Sequence, residues 1–250
     1  MTGSLGHVLV VGRGRAGGSF DRALADAGWT TELVPGRSTT SVAAGTDLVL
    51  IAVPDQSVAA VAAGLQAGDA VVAHCSGSLG LGDLSPHLRV ASVHPLVSLS
   101  TPETGAGRLR GAWFAVAGSG GGEEVARAVV DSLGGRAIEV PDDRRALYHA
   151  TAAIASNHLV ALLGQVERLA DDLGIPAEAF GGLVAGTVAN VERQGAAAAL
   201  TGPVARGDWE TVRRHVGALP VDERPTYLVL VGAAARLVDR PVPSDLRTSP

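Results

Sequence analysis

The sequence predicts a two-part protein: an α/β part built on a mostly parallel sheet over residues 1–141, and an all-α part over residues 142–250. Three observations predict it. Short apolar, β-branched runs recur through the first part, each ending in glycine, proline or polar residues and each followed by a helix-compatible stretch. Those runs are apolar at consecutive rather than alternate positions, as strands covered on both faces must be. Beyond Pro141-Asp142-Asp143 the composition shifts to alanine and leucine at helical spacing.

The first run, residues 8–11, breaks at Gly12 and passes through Arg13, Gly14, Arg15, Ala16 and Gly17 into a helical segment, residues 19–27. Strand, GRGRAG and helix in that order form the phosphate-binding turn of a Rossmann-like dinucleotide fold. Gly12 permits the sharp turn, Gly14 offers bare backbone to a pyrophosphate, and Gly17 lets the helix approach its strand. The anion would sit on the free amide groups at the helix N-terminus.

The second run, residues 30–34, leads into Pro35-Gly36-Arg37-Ser38-Thr39. An acid accepting the ribose hydroxyls is usual about 20 residues past the glycines. Here Arg37 and Ser38 stand in its place, which suits a 2′-phosphate and predicts NADP over NAD. Residues 47–53 form a third strand whose end, Val53 and Pro54, faces the cofactor, with Asp55 capping a helix through residue 63. Further strands over 70–73, 90–93, 113–117 and 137–140 end in HCSG, in His94-Pro95-Leu96, or close the sheet, with a helix over 123–133. Ligands of an open α/β sheet bind at such strand ends.

Composition narrows the chemistry. A hydrophobic share of 46% over 250 residues supports a full core. No uninterrupted apolar run of about 18 residues occurs and the N-terminus lacks a signal-peptide pattern, so a cytoplasmic protein without a membrane role is expected. A net charge of −5 without a basic run argues against nucleic acid as partner. The lone cysteine, Cys75, excludes an internal disulfide and a cysteine-based metal cluster within one chain, and no metal site is expected. All 20 basic residues are arginine, so Schiff-base chemistry and a lysine acid are excluded.

The ladder GRGRAG, DLVLIAVPD, HCSG and VHPL resembles the N-terminal domain of the 6-phosphogluconate dehydrogenase-like superfamily, which includes hydroxyacid dehydrogenases, pyrroline-5-carboxylate, ketopantoate and coenzyme-F420-dependent NADP reductases, and prephenate dehydrogenases. The resemblance implies a nicotinamide cofactor on this domain and a second, helical domain closing a substrate cleft. RALYHATAAIASNHLVALL (145–163) and ALTGPVARGDWETVRRH (199–215) resemble the C-terminal DUF2520 domain, which follows a Rossmann-like domain in a family of bacterial oxidoreductases. The lysine that hydroxyacid dehydrogenases carry on the long helix is absent, with Ala153 and Ile154 in its region.

In the second part, residues 144–173 read as one long helix, followed by helices over 180–200, 208–219 (capped by Asp208) and 226–237 and a loose proline-rich tail, 241–250. At about 100° per residue His149, Ala153 and Ser156 share a stripe with Asn157 at its edge, while His158 points away. Hydride transfer needs one proton donor, and histidine titrates near neutrality. His94, at a strand end, and His149, opening the long helix, are the favoured pair. Ser76 would bond substrate or the nicotinamide amide, and Asn157 would orient substrate. Ser156, Thr201 and Arg206 are candidates for an anionic substrate, within one subunit or across a dimer. His74 can face either way; His7, His87 and His215 read as structural. The expectation is an NADP-dependent reductase of a small anionic keto or imino compound, dimeric through its helical part. Hydride exchange with a deazaflavin carrier and a non-catalytic NADP sensor are the alternatives.

Overall fold

The computed structural model describes residues 5–36 and 41–248. It divides into two compact units, Met1–His158 and Leu159–Pro250. The first holds, among the described residues, a seven-stranded sheet in the order β2-β1-β3-β4-β5-β6-β7. Its strands are β1 (His7–Val11), β2 (Thr30–Val34), β3 (Leu48–Ile51), β4 (Val71–His74), β5 (Val90–Pro95), β6 (Trp113–Ser119) and β7 (Arg136–Glu139). β1 to β5 run parallel, β6 runs against β5, and β7 runs with β6. The expected mostly parallel, Rossmann-like sheet is therefore what the chain forms. Because β2 and β3 flank β1 on opposite sides, the winding reverses there and opens a crevice at the carboxyl ends of β1 and β3.

Consecutive apolar residues in β1, β3, β4 and β5 feed both faces of this sheet. Val8, Val10, Leu48, Leu50, Val71, Ala73, Ala91 and Val93 meet Phe20 and Leu24 of helix α1 (Arg15–Asp26), Leu109 of α3 (Pro102–Leu109) and Val129 and Val130 of α4 (Gly122–Ser132). Leu9, Val11, Val49, Ile51, Val72 and Val90 meet Val58 and Ala62 of α2 (Asp55–Gly64) on the other face. Each fully buried aliphatic side chain contributes about 1.5–3 kcal/mol. Toward the strand ends this second face turns polar: His74 continues the row of Val72, and Ser92 and His94 continue that of Val90. All three polar residues lie in a parallel pair, with His74 opposite Ser92.

Helix α3 is not legible in its sequence, because Gly105 and Gly107 read as breakers. Thr101 caps it by accepting from the Thr104 N–H at 3.3 Å. The glycines permit close packing instead: a methyl on Gly105 would lie 2.1 Å from Ser19 Oγ, and one on Gly18 would lie 2.9 Å from Pro102.

The single helix expected over 144–173 is interrupted. Helix α5 (Arg145–Ala153) gives way to a π turn, Ile154–His158, before α6 (Leu159–Asp172). A π turn bonds i to i+5, so residues beyond it leave the phase that a uniform α-helix assigns. Ser156 and Asn157, expected on the stripe of His149, lie inside this turn.

In the second unit, α9 (Gly202–Arg206), α10 (Trp209–Ala218) and α11 (Arg224–Leu237) pack Val204, Val212, Val231 and Ala235 together with Leu246. Asp208 caps α10 as expected, accepting from the Thr211 N–H at 3.1 Å. The expected helix over 180–200 is split into α7 (Gly181–Gln194) and α8 (Ala196–Ala199) by Gly195, whose φ of +81° ends the first helix. The tail is not loose up to residue 248: Leu246 is buried and Asp245 pairs with Arg213 at 2.8 Å. Glu223 takes a two-point bond from Arg168, at 2.5 and 3.1 Å, while Gln165 donates to its carbonyl.

Candidate functional site

The glycine turn lies in the β1/β3 crevice. Gly12, at φ +124°, donates its N–H to the Val34 carbonyl, and a methyl on it would lie 2.4 Å from the Ala52 carbonyl oxygen. Gly17 sits so close to Gly12 that a methyl would lie 1.8 Å from its oxygen. Gly14 differs from both: nothing lies within 4 Å of its missing side chain, and it begins α1 without any side-chain cap. The first-turn amides of a 12-residue helix are thus left open beside bare backbone, which fits a diphosphate. Arg13 and Arg15 are exposed around this turn, Arg13 reaching the Leu33 carbonyl at 3.4 Å, and Ala16 packs half-buried into the core below. Val53 lies between the Gly12 and Gly36 backbones. Arg37 and Ser38 lie outside the described residues.

Pro54 then leads into α2, where Asp55 does not act as the expected cap. Pro54 occupies that place and Asp55 is the first helical residue. The Asp55 carboxylate instead accepts from two hydroxyls, Ser76 Oγ at 2.8 Å and Ser78 Oγ at 2.6 Å. It thereby ties the loop after β3 to the loop after β4. The Ser76 hydroxyl also accepts the N–H groups of Ser78 and Leu79 at 3.1 and 3.3 Å, so it builds the turn rather than standing free for a ligand.

His74, fully buried, settles the same loop. Its Nδ1 accepts the Ser76 N–H at 3.2 Å, so the proton sits on Nε2 and is donated to the Gly80 carbonyl at 3.2 Å. Burial holds its pKa below the usual value, against the Gly80 bond that favours the charged ring. Cys75 is tied to the Ile51 carbonyl, and burial followed by the Asp55 charge pushes its pKa up to about 12, leaving a thiol and not a thiolate.

The two favoured histidines come together. A methyl on Gly77 would lie 2.8 Å from His94 Cε1 and Nε2 and 3.0 Å from His149 Cδ2, and the two rings meet edge-on at 6.4 Å. A third ring, unforeseen from sequence, completes the group. Tyr148 Oη lies 2.6 Å from His94 Nδ1, with the rings T-shaped at 5.5 Å. An aromatic residue at helical spacing carries no mark that separates it from core, and only the histidine before Pro95 could have pointed to it. Arg145, 2% exposed, lies behind: Nε bonds Asp142 at 2.8 Å, Nη1 bonds Ser92 at 3.2 Å, and Nη2 is buried with no hydrogen-bond partner among the described residues. Ser156 and Asn157 are exposed in the π turn. Thr201 and Arg206 belong to the second unit, where Thr201 precedes α9 without a side-chain capping bond and lines a groove of about 480 Å³ with Leu183, Thr187 and Asn190, and Arg206 is exposed. His7 bonds Thr46, His87 the Ala62 carbonyl and His215 Tyr227, while His158 is exposed in the π turn.

Burial first, then the neighbouring His149 and Arg145, push the His94 pKa down to about 4, with Asp55 opposing. His94 is a neutral imidazole near pH 7, not the imidazolium acid that its sequence position suggests. The unfolded chain takes up a proton near 6.5 that the folded ring refuses until about 4, so stability is complete above that window and falls as pH drops through it. The loss is on the order of 2 kcal/mol for His94, discounted for its partial exposure, and His74 adds in the same direction. Urea midpoints should decline across that window and decline less in His94→Asn; parallel curves would place the ring's titration at its ordinary value.

Residues 112–234 match the model of the domain of unknown function DUF2520. A search of curated proteins returns no match. Among solved structures the chain resembles protein TM1727 from Thermotoga maritima, at 25% identity and a TM-score of 0.73 over 93% of this chain and 98% of that one. It also resembles BF3122 from Bacteroides fragilis, at 16% identity and 0.76 over 92% and 98%. A third is a pyrroline carboxylate reductase of Plasmodium falciparum, solved with NADP bound, at 12% identity and 0.60 over 94% and 99%. The sheet order, the glycine turn and the family match agree: the first unit has a Rossmann-type fold, and residues 112–234 are similar to the DUF2520 domain.

Proposed function

We propose that the protein is an NADP-dependent oxidoreductase that reduces a small, anionic carbonyl or imine compound. The observation that carries this reading is the continuous edge from the open backbone at Gly14, across Val53 and Pro54, to the Asp55-linked loop that abuts His94 and His149. A dinucleotide laid along it has its diphosphate on the α1 amides and its nicotinamide at the ends of β4 and β5. When bound, the reduced nicotinamide supplies a hydride. The residues at the strand ends then orient the acceptor and manage its proton. The neighbour solved with NADP is a reductase of an imine acid, which supports this substrate class.

Titration with NADPH and NADH, followed by NADPH oxidation with ketopantoate and with 1-pyrroline-5-carboxylate, tests the reading. NADPH binding with turnover supports it, binding without turnover favours a sensor, and absence of binding overturns it. Arg37→Ala should weaken NADPH by about 1.5–3 kcal/mol and leave NADH nearly unchanged; equal losses would remove the 2′-phosphate role.

The helical part is proposed to form a homodimer. Val160 (67% exposed), Leu173, Leu183, Val188, Val191, Val229 and Leu230 are each exposed in the second unit, more large apolar side chains than a solvent-facing helical unit needs. Residues 142–172 have the length and composition of a membrane span at a mean hydropathy of 1.2, but Ser156, Asn157 and His158 in the π turn would sit in its middle at high cost. A subunit interface accommodates both features.

A further inference from the structure

We propose that Tyr148 delivers the proton in the reduction assigned to this site, with the His94 imidazole as the group that reprotonates it. The inference rests on the reductase reading above. Its geometry is the 2.6 Å contact between Tyr148 Oη and His94 Nδ1, on a half-buried tyrosine whose hydroxyl has no other hydrogen bond among the described residues. A phenol both donates and accepts. If His94 carries its proton on Nδ1 and donates it to Oη, the phenolic hydrogen is free for a substrate atom.

The protic groups of the loop after β4 are committed, and His149 is left as an exposed ring. His74 uses both ring nitrogens within its own loop, and Ser76 and Ser78 both donate to Asp55. The Cys75 thiol is spent on Ile51. His94, neutral, carries a single ring proton, and the His149 ring beside it is exposed to solvent.

The buried guanidinium of Arg145 gives the pair its electrostatic sense. Its charge favours a phenolate at Tyr148 and disfavours an imidazolium at His94, opposing at the tyrosine the burial that raises its pKa to about 12. The charged and titratable groups acting on the pair are Asp55 from α2, His74 from β4, and Arg145 and His149 from α5. Arg145 Nη2 is buried with no hydrogen-bond partner among the described residues, and its ion-pair partner Asp142 is largely exposed to solvent. A transient anion on Oη is what such a cation stabilises.

With the hydride and its electron pair supplied to the acceptor carbon by the reduced nicotinamide, the Tyr148 O–H bond breaks and its proton goes to the carbonyl oxygen or neutral imine nitrogen. The electron pair left on Oη takes the Nδ1 proton of His94. In the same step His94 Nε2 takes a proton from solvent water, whose hydroxide the buffer neutralises, so the ring never becomes an anion, and exchange with solvent restores the first tautomer. One hydride and one proton are consumed, and no residue changes its oxidation state.

Two measurements on the full chain test this. Nitrogen-15 histidine spectra of the cofactor-free protein should show His94 neutral at pH 7 with the proton on Nδ1. A proton on Nε2 would mean that Tyr148 spends its own hydrogen on the ring, and would overturn the proposal. With ketopantoate and 1-pyrroline-5-carboxylate as probes, Tyr148→Phe should lower kcat by about 100-fold or more while the NADPH Kd stays within about twofold. A fall in kcat of less than about fivefold would overturn it. If neither probe turns over, the tautomer alone decides. Failure of the wild-type chain to bind NADPH would sink the reductase reading itself, a different result from a wrong tautomer or an unaffected kcat.

Discussion

Gly14→Asp should give a folded protein, at least as heat-stable as the wild type, that binds NADPH about 100-fold or more weakly, a loss of about 3 kcal/mol. The backbone at Gly14, φ −76° and ψ −172°, suits any L residue, and no atom lies within 4 Å of the position a side chain would take. An aspartate there becomes the N-cap that α1 lacks, worth about 0.5–1 kcal/mol to the helix. Its carboxylate then occupies the amides proposed for the diphosphate and repels a second anion. A thermal melt and a fluorescence titration separate the two effects. Unchanged NADPH affinity in a variant with a raised Tm would move the diphosphate elsewhere.

Gly17→Ala, three residues on, should do the opposite: destabilise the fold by about 3 kcal/mol, because its methyl would stand 1.8 Å from the Gly12 carbonyl oxygen. The obstacle is backbone on both sides and cannot rotate away. Relief requires α1 to move off β1, which opens the contacts of Phe20 and Leu24. For a chain of this size the expected fall in Tm is about 6–12 °C. A melt within about 2 °C of wild type would show that the turn has slack that the geometry denies.

The contrast between these glycines marks how far sequence reaches. Strands such as 8–11 and 47–53 were legible because burial on both faces writes itself as consecutive apolar residues. The turn between β1 and α1 was legible because three glycines there serve one local geometry. Helix α3 was not, since Gly105 serves contact with Ser19, a residue 86 positions earlier, and nothing local distinguishes that use from a break. The π turn at 154–158 escaped for a related reason: periodicity assumes one pitch, and IASNH carries no proline or glycine to announce another.

In the site, His94 and His149 were nameable as chemistry-bearing side chains, and the structure brings them against one glycine. Tyr148, Arg145 and Asp55 were not, because each matters only through partners set by the tertiary fold. Asp55 looked like a cap until its carboxylate met two serines on the next loop. Ser76 looked free until that same contact used it. Charge state was the least legible property. His94 has the residue type of a neutral-pH acid, and its burial beside Arg145 removes that capacity.

The Asp55 bridge has one more consequence. With His74 pinned at both nitrogens and both serines held by a single carboxylate, the loops beyond β3 and β4 form one rigid wall before any ligand arrives. Such a wall is preorganised: association loses little chain entropy there, and the ordering that accompanies binding falls on other segments.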